Sequence, residues 1–228
     1  MLSVIIPTLN AGSRLAECLD ALVEPAIDGL VKEVIIVDGG STDDTLKIAD
    51  GFGATILSPP PGRGGQLKAG AATASNDWLL FLHGDTVLEP GWADEARLFI
   101  EKNVYDAGVF TLAFDGEGIA PKIVAAGAMV RTRFTKSPYG DQGLFMSKAT
   151  YEEIGGYKDM PLFEDVEIVR RLMKLKGPHA LHIFASKAVT SARRYEEEGY
   201  FRRVLKNALL LMRYQLGATP EKLRKTYR

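Results

Sequence analysis

Apolar residues in the first hundred positions fall into short continuous runs separated by longer stretches with helical periodicity. The runs predict four buried strands, in the segments 2–7, 33–40, 53–60 and 77–85. After the first run, Leu15, Cys18, Leu19 and Leu22 recur at helical spacing. Strands that are apolar on both faces and alternate with helices are typical of parallel sheets that helices cover on both sides. The pattern therefore predicts an α/β fold with a doubly wound, mainly parallel sheet.

Polar residues and glycines mark the ends of the next two predicted helices. Ser41 and Asp44 fit a capping box, and Gly51 and Gly53 fit a C-terminal stop. The segment GRGGQLKAGAATA at 62–74 predicts a Gly-rich loop that opens an Ala-rich helix. Each helix would return the chain to the next parallel strand.

The regular alternation ends near residue 104. Weak periodicity over 105–140 indicates an irregular or mixed α+β part, and no motif there points to a specificity. The later pattern predicts strands at 142–147 and 178–184 and helices at 148–157 and 163–177.

The last long helix, predicted at roughly 200–216, has one apolar side. Its apolar residues are Phe201, Val204, Leu205, Ala208, Leu209, Met212 and Leu216. Packing on the parent domain is the favoured interpretation, and docking on a membrane surface or homodimerisation is the alternative. From residue 193 onward, ten Lys or Arg against four Glu give a local net charge of +6. Residues 193–228 are therefore predicted to be a basic helical extension of a domain that spans 1–192.

Composition narrows the class of protein. The length of 228 residues and the formal net charge of −1 suit one large globular domain and do not indicate a nucleic-acid partner. The single cysteine, Cys18, lies at an apolar helical position, which indicates a buried inert thiol and favours a reducing compartment. The N-terminal apolar run stops at Pro7, far short of a signal peptide or a spanning helix. These features predict a cytoplasmic protein without a transmembrane segment.

Two of the predicted strands run into aspartates, Asp38 in IIVDGGSTDD and Asp85 in LLFLHGDT. In an open parallel sheet, ligands bind beyond the carboxyl ends of the strands. A carboxylate there must be solvated, hydrogen-bonded or bound to a metal, because an unpaired buried charge is costly. Either aspartate alone could cap the next turn, but two at one edge of the sheet favour a binding site.

Four segments resemble, in order and spacing, the family 2 nucleotide-sugar glycosyltransferases with a GT-A fold. They are SVIIPTLN at 3–10, VDGGSTDDT at 37–45, LLFLHGDT at 79–86 and FEDVE at 163–167. The resemblance covers nearly the whole chain. A bacterial subgroup with HADT-type motifs, some members of which are assigned to arsenosugar biosynthesis, is similar in GDQG at 140–143, TSARRY at 190–195 and YQLGATPEKL at 214–223. That narrower similarity assigns no substrate.

The resemblance implies a nucleotide-sugar site, with residues 1–104 as the nucleotide-binding half and 105–192 as the acceptor-binding half. Asp38 is implied to hold the base or the ribose, and Asp85 to bind Mg²⁺ or Mn²⁺. Such a cation neutralises the charge that develops on a departing diphosphate. The residues assigned to nucleotide-sugar binding are Pro7, Thr8, Leu9, Asn10, Asp38, Gly39, Arg63, His83 and Gly84.

The strand-end motif departs from its common form, Asp-x-Asp, because His83 occupies the first position. Histidine supplies no negative charge, so weaker metal affinity is a hypothesis. His83 could hydrogen-bond ribose or phosphate or ligate Mn²⁺, or it could be a packed, hydrogen-bonded ring, and both interpretations stay open.

The Gly-rich segment 58–70 is a second candidate for phosphate binding. Its backbone N–H groups could cradle phosphate, and Arg63 could pair with it. No Gly-Lys-Ser/Thr follows, so the segment is not a Walker A loop. For Gly64 and Gly65 individually, an ordinary turn is the favoured interpretation.

In FEDVE, the resemblance implies that Asp165 is the general base, which deprotonates the acceptor hydroxyl in a single inverting displacement. First-turn acids also suit the helix macrodipole, and Glu167 can pair with Arg171 four residues later. Glu164 and Glu167 are therefore assigned mainly a structural role. The residues placed on the acceptor or phosphate side are Asp141, Gln142, Glu164, Arg193 and Arg194.

The predicted function is metal-dependent transfer of a single sugar, with a UDP sugar as the expected donor, to a small or lipid-linked hydroxyl acceptor. Processive synthases are disfavoured because the Gln-x-x-Arg-Trp signature is absent from the sequence. A dehydrogenase fits worse, because the position of its Gly-x-Gly-x-x-Gly motif reads PTLNAG. The alternative is a catalytically degenerate nucleotide-binding or regulatory protein of the same fold, which His83 motivates.

Overall fold

The computed structural model describes residues 1–102 and 106–227. In these residues the strands are β1 (Leu2–Thr8), β2 (Val31–Asp38), β3 (Thr55–Leu57), β4 (Trp78–Phe81), β5 (Thr86–Leu88), β6 (Ala107–Phe114), β7 (Leu144–Ser147) and β8 (Leu181–Thr190). The α-helices are α1 (Gly12–Ile27), α2 (Thr45–Gly51), α3 (Arg63–Thr73), α4 (Trp92–Lys102), α5 (Ala120–Thr135), α6 (Lys148–Glu153), α7 (Glu164–Lys176), α8 (Arg193–Glu198), α9 (Tyr200–Gln215) and α10 (Pro220–Tyr227). The predicted boundary between the two halves, at 104–105, and Arg228 lie outside the described residues.

The eight strands form one sheet in the order β3-β2-β1-β4-β7-β6-β8-β5 across the described ranges. The first four strands in that order are mutually parallel. Strand β7 is antiparallel to β4 and β6, β8 is parallel to β6, and β5 is antiparallel to β8. The predicted α/β fold, with a parallel first half and a mixed second half, is confirmed.

Helices cover both faces of the parallel half, which is why its strands are apolar throughout. Alternate residues of a strand point to opposite faces, so Val4 and Ile6 of β1 pack in the core that contains α1 and α4. Ile5 packs on the other face, in the core that contains α3 and α7. Gly70 of α3 comes so close to β1 that a Cβ there would lie 2.4 Å from Cγ2 of Ile5. Each fully buried aliphatic side chain contributes about 1.5–3 kcal/mol.

The parallel register brings the predicted motifs to one edge of the sheet. Thr8, at the end of β1, is the register partner of Asp38, at the end of β2. Strand β4 pairs with the other side of β1, so the segment after Phe81 emerges at the same edge. The polar and charged residues of the predicted motifs therefore lie together at this edge of the sheet.

Two predicted boundaries at this edge are wrong. Strand β4 ends at Phe81, so Asp85 lies in the turn before the unpredicted strand β5 rather than at the strand end. Helix α3 begins at Arg63, so Gly64 and Gly65 lie in its first turn and not in a loop. Gly64 allows a close approach, because a Cβ there would lie 2.3 Å from the backbone oxygen of Lys158.

The predicted capping box before α2 is also wrong. Helix α2 begins at Thr45, and its N-cap residue, Asp44, makes no side-chain cap. The hydroxyl of Ser41 donates to Asp38 instead, and Asp43 accepts a hydrogen bond from the N–H of Thr45 at 3.1 Å. The predicted stop after the helix is confirmed, because Gly53 adopts a left-handed backbone conformation.

The prediction that the apolar side of the last helix packs on the parent domain is wrong. All seven residues assigned to that side of α9 and its C-cap are exposed. The side that faces the protein instead carries Arg203 and Leu210. Among the described residues, no helix is long and apolar enough to cross a membrane.

Candidate active site

The ends of β1 and β2 are tied together by Asp38. Its carboxylate is buried and accepts hydrogen bonds from the hydroxyls of Thr8 at 2.9 Å and Ser41 at 2.5 Å. It also accepts from the backbone N–H groups of Gly40 at 2.9 Å and Ser41 at 2.7 Å. Burial would raise the pKa of Asp38, but these hydrogen bonds outweigh burial and hold its pKa below the ordinary value. Asp38 therefore stays charged and fixes the VDGG turn, and its contact with a nucleotide stays a prediction.

The first motif forms the rim of this edge. Asn10 has a left-handed backbone, its N–H donates to Ser41 Oγ at 2.8 Å, and its Oδ1 accepts from the N–H of Thr42 at 2.9 Å. Leu9 is 59% exposed, and Pro7 is half-buried beside it. Leu9 thus offers an apolar surface beside the Asp38 turn, which a planar ring could contact.

Gln66 of α3 supports the same edge, although no motif in the sequence pointed to it. Its side-chain amide is buried and donates to the backbone oxygens of Thr8 at 3.0 Å and Val37 at 2.6 Å. A Cβ on Gly39 would lie 3.2 Å from this amide nitrogen. Gly39 therefore leaves room for Gln66 to join β1 and β2, which is a structural role for both residues.

His83 and Asp165 meet at the turn that contains Gly140. The N–H of Gly140 donates to Oδ2 of Asp165 at 2.7 Å. A Cβ on Gly140 would lie 2.6 Å from Nε2 of His83 and 3.3 Å from Oδ2 of Asp165. These residues, with Tyr139 and Glu164, line one pocket. The strand-end motif, GDQG and FEDVE therefore converge on one site.

The imidazole of His83 is neutral in this pocket. Desolvation lowers the pKa of His83 well below its ordinary value, and the positive charges of Arg63 and Arg194 lower it further. A neutral imidazole keeps one ring nitrogen as an acceptor or a metal ligand. His83 lines the pocket, and whether it binds a ligand or only packs there stays open.

Asp85 has a carboxylate that the protein leaves open. The side chain is half-buried, and no hydrogen bond or ion pair to it is formed within the described ranges 1–102 and 106–227. Its charge is close enough to raise the pKa values of Cys18 and Asp141. Among the described residues, no group of three His, Cys, Asp or Glu side chains could hold a metal ion alone. The oxygen of Asp85 nevertheless suits Mg²⁺ or Mn²⁺ when phosphate oxygens and water complete the shell.

Asp165 and Glu164, at the start of α7, have different surroundings. Asp165 is half-buried on the pocket, whereas the side chain of Glu164 is 3% exposed and lies 3.4 Å from Nη1 of Arg63. Burial raises the pKa of Glu164, Arg63 lowers it, and Asp165 raises it again. Arg63 thus joins the start of α3 to the start of α7. Its predicted contact with phosphate stays open.

The predicted pair between Glu167 and Arg171 is confirmed. The Nε atom of Arg171 donates to both carboxylate oxygens of Glu167, at 3.0 and 2.9 Å, and Nη2 donates at 2.7 Å. Arg171 also donates to the backbone oxygens of Ile154 and Gly156. The pair therefore locks the connection between α6 and α7 that sets the position of Asp165.

The two side chains in the middle of GDQG point to different places. Gln142 is fully buried, accepts from the hydroxyl of Thr132 at 2.7 Å and donates to the backbone oxygen of Phe110 at 3.1 Å. These contacts correct its placement on the acceptor side, because its amide is occupied inside the protein. Asp141 has a buried Oδ1 without a hydrogen-bond partner in the described part of the chain. Burial, with the charges of Asp165 and Asp85 opposed by that of Arg131, raises the pKa of Asp141 to about 6.

The two arginines of TSARRY lie in different surroundings. The charge of Arg194 contributes to the lowered pKa of His83, and its role at the site stays a prediction. Arg193 instead lines a different, polar cleft together with Asp115, Glu117 and Glu196. Arg194 is therefore the better candidate of the two for contact with a diphosphate or an acidic acceptor, and the roles of both arginines stay predictions.

Arg131 supports the turn before GDQG, and no motif in the sequence pointed to it. The guanidinium of Arg131 in α5 lies 3.5 Å above the ring centroid of Tyr139, and its Nε donates to the backbone oxygen of Ser137 at 3.0 Å. Tyr139 in turn lines the pocket with Asp165. The weak periodicity of this region gave no signal that α5 supports the site.

The prediction for Cys18 is confirmed. The thiol is buried and donates to the backbone oxygen of His83 at 3.6 Å. Burial and the charge of Asp85 raise the pKa of Cys18 to about 12, against a smaller opposing effect of Arg14. The thiol is therefore inert and packs beneath the His83 segment.

The family model described as glycosyl transferase family 2 matches residues 3–146. The chain belongs to this family. The match covers more than half of the chain and includes Thr8, Asp38, His83 and Asp85, and it ends before Asp165. The resemblance read from the motifs is thus confirmed.

Curated relatives match a shorter part. The chain is 35% identical over 95 residues to a glucosyl-3-phosphoglycerate synthase of Mycobacterium tuberculosis, which is 38% of this chain and 29% of that protein. It is 37% identical over 95 residues to a PGL/p-HBAD biosynthesis glycosyltransferase of Mycobacterium bovis, which is 39% of this chain and 36% of that protein. The chain therefore matches about a third of the length of these relatives.

A solved structure extends the likeness to most of the fold. The glucosyl-3-phosphoglycerate synthase of M. tuberculosis, in complex with Mn²⁺ and UDP-glucose, superposes with a TM-score of 0.67 at 22% identity. The superposition covers 92% of this chain and 78% of that chain. The GT-A fold is shown by this likeness, whereas substrates are not.

Proposed function

We propose that this protein is a metal-dependent, inverting glycosyltransferase that moves one sugar from a UDP sugar to a hydroxyl acceptor. The observation that carries the proposal is the convergence of His83 and Asp165 on Gly140, next to Asp141, whose pKa is raised by the charges of both Asp165 and Asp85. Such a transfer needs two carboxylates. One must be available to bind a cation, and the second must lie on the pocket and act as the base.

The donor side is assigned from the edge of the sheet. Asp85 would hold Mg²⁺ or Mn²⁺ together with diphosphate oxygens, and His83 would add a neutral nitrogen. When bound, the cation neutralises the charge that develops on the diphosphate as the glycosidic bond breaks. Arg63 and Arg194 add positive charge beside His83. The complex of a fold relative with Mn²⁺ and UDP-glucose supports UDP as the nucleotide.

The acceptor side is assigned to Asp165. Its Oδ2 is oriented by the N–H of Gly140, and the residue faces the pocket that Tyr139 and His83 also line. In the proposed step, the oxygen of the acceptor hydroxyl attacks the anomeric carbon while Asp165 takes the proton of that hydroxyl. The nucleoside diphosphate leaves from the opposite face. General-base assistance of this kind contributes roughly 10²–10⁴-fold.

The acceptor is a small or lipid-linked hydroxyl compound. A fold relative has been solved in complex with phosphoglyceric acid, a small compound with a hydroxyl group, and this supports the small class. The single cysteine is a buried thiol, so we keep the cytoplasm as the proposed compartment. Contact with a membrane surface or with a second copy would involve α9.

The alternative is a nucleotide-binding protein of the same fold without transfer activity. One observation favours it: His83 replaces the first acid of the common motif, so the described residues bring a single motif carboxylate to a cation. Release of free UDP or of glycosylated acceptor from any UDP sugar by the purified protein would exclude this alternative.

The deciding experiment is a thermal-shift screen with UDP, GDP, CDP and dTDP, each with and without Mn²⁺ or Mg²⁺. A ligand that binds only the folded state stabilises that state by about 2.7 kcal/mol when its free concentration is about 100 times its Kd. We expect UDP with metal to raise the melting temperature and Asp85→Ala to abolish the metal-dependent part.

Transfer is then measured for Asp165→Asn, which should still bind UDP but should lose about 10²–10⁴-fold in kcat. Unchanged transfer in both variants would show that the assigned roles are wrong.

A further inference from the structure

Helix α9 presents an apolar surface to the outside of the protein. Phe201 and Leu216 are 83% and 80% exposed, and the residues between them on the same side are 41–49% exposed. We define the outer strip of α9 as Phe201, Val204, Leu205, Leu209, Met212 and Leu216. The neighbouring helix α5, which packs against α9, also has one exposed apolar side. Its exposed residues, with the N-cap residue included, are Ile119, Ile123, Val130 and Phe134.

The orientation of α9 is the reverse of that expected for a surface helix. Such a helix normally turns its apolar side to the core and its charged side to water. Here the inward side buries Arg203, which is 4% exposed and donates to Glu198 at 2.6 Å. The ion pair with Glu198 holds Arg203 on the inward side of α9, and the apolar side therefore faces outward. A large apolar surface held outward in this way marks a contact site.

Basic residues border the outer strip on one side. Arg202, Lys206 and Arg213 are spaced at i, i+4 and i+11, so they share one side of the helix next to the strip. Lys206 pairs with Glu198, whereas Arg202 and Arg213 are exposed and have no acidic partner among the residues that the structure describes. Helix α9 itself contains no Asp or Glu.

We propose that α9 docks on an anionic lipid surface, with the outer strip at the headgroup boundary and Arg202 and Arg213 against the lipid headgroups. A helix with an apolar side and a basic border lies in the plane of such an interface. A second copy of the chain suits the surface less well. In a two-fold contact the same patch of both copies is buried, and α9 offers no acid to pair with the basic border of its partner.

The same helix is joined to the candidate active site. The ring of Tyr214 stacks on that of Phe163, with centroids 4.8 Å apart and planes 21° apart. Phe163 directly precedes Glu164 and Asp165. Docking through α9 would therefore hold the acceptor side of the pocket near the lipid surface. This consequence rests on the proposed function, and it selects the lipid-linked class among the acceptors.

The test is flotation of the full chain with lipid vesicles, in the absence of any sugar donor. We expect binding to vesicles of phosphatidylcholine mixed with phosphatidylglycerol, and much weaker binding to phosphatidylcholine alone. Arg202→Gln with Arg213→Gln should weaken partitioning about thirtyfold, and high salt should reproduce that loss in the wild type. Phe201→Ser with Leu205→Ser and Leu209→Ser should weaken partitioning by at least about tenfold.

The matched control replaces two exposed apolar residues elsewhere, Ile27→Ser with Leu98→Ser, and should bind vesicles as the wild type does. Circular dichroism and thermal melting confirm that each variant is folded. Equal binding by the strip variant and the control, or equal binding to both vesicle compositions, would overturn the proposal. So would a wild-type dimer without vesicle binding that the strip variant converts to a monomer in light scattering. Because flotation needs no donor, its failure leaves the proposed transfer standing, and failure of transfer leaves docking standing.

Discussion

The N–H of Gly140 donates to Oδ2 of Asp165 at 2.7 Å, in a turn where residue 140 has no room for a side chain. A Cβ there would lie 2.6 Å from Nε2 of His83. Contacts this short do not occur, so a larger residue must push either the turn or His83 aside. The separation between His83 and Asp165, the proposed base at the start of α7, is therefore set by a glycine backbone.

Gly140→Ala should lower kcat about ten- to hundredfold and leave the fold intact. The added methyl group displaces His83 or breaks the hydrogen bond that orients Asp165, and a misplacement of about 1 Å can cost 10²-fold. Steady-state kinetics measures the effect, with a sugar donor that carries the nucleotide found in the thermal-shift screen. Gly127→Ala in α5 is the matched control, because a Cβ there meets no atom within 4 Å. The control should raise stability by roughly 0.5–1 kcal/mol and should not change kcat. Equal kinetics for both variants would contradict the tight packing at Gly140.

Arg63 and Glu164 should be coupled in stability. Glu164 is buried, and Arg63→Gln leaves its charge without this partner, so we expect a loss of about 1–2 kcal/mol at neutral pH. The double variant with Glu164→Gln should recover most of that loss, because it removes the buried charge as well. Urea unfolding of the four proteins of the cycle measures the coupling. Additive effects would show that the ion pair contributes nothing.

The same pair predicts a pH dependence with a definite sign. Burial already raises the pKa of Glu164, and loss of Arg63 removes the charge that lowers it. A carboxyl with a raised pKa in the folded state binds more protons folded than unfolded, so its contribution to stability falls as pH rises. Arg63→Gln should therefore be more destabilised, relative to the wild type, at about pH 8 than at about pH 5. A constant difference across this range would contradict the assignment.

The alternation of apolar runs and helical stretches was sufficient to predict the parallel half of the fold. Strands buried on both faces leave a strong signal, and β1, β2 and β4 were found where the runs lie. Strand β5 was missed because the preceding strand was predicted to continue to residue 85, directly before it. The exposed side of α9 could not be foreseen, because periodicity shows that a helix has an apolar side but not which way Arg203 and Glu198 turn it.

The site was predictable where its chemistry is local in sequence. Asp38, Asp85 and Asp165 stand in motifs whose spacing can be read directly. Gln66 and Arg131 could not be found in this way, because their roles depend on backbone groups and rings that only the fold brings near. Gln142 was misplaced for the same reason: its side chain turns towards α5 and not towards the pocket.

Thr132→Val should destabilise the protein by about 1–3 kcal/mol. The hydroxyl of Thr132 donates to Oε1 of Gln142 at 2.7 Å in a fully buried contact, and its removal leaves a buried acceptor without that donor. Because Gln142 closes the turn that positions Gly140, we also expect a rise in KM for the acceptor. Thr135→Val, at the exposed end of the same helix, is the control and should have little effect. Equal thermal melting of the two variants would show that Gln142 does not anchor the turn.

Asp141→Asn should change the pH dependence of stability between about pH 4 and pH 6. The pKa of Asp141 is raised to about 6 from an ordinary value of 3.8, so the folded wild type holds a proton that the unfolded chain has released. Stability from this group is full below the lower value and is lost as pH rises through the higher one, by about 2–3 kcal/mol in total. The variant has no such proton to lose.

The measurement is the free energy of unfolding of both proteins at several pH values in urea, without added metal. The variant should become more stable relative to the wild type as pH rises from about 4 to about 7, with most of the change complete near pH 6. Other carboxylates titrate in both proteins and cancel in the difference. A difference that stays flat, or that moves in favour of the wild type, would mean that Asp141 is ionised in the folded protein across this range.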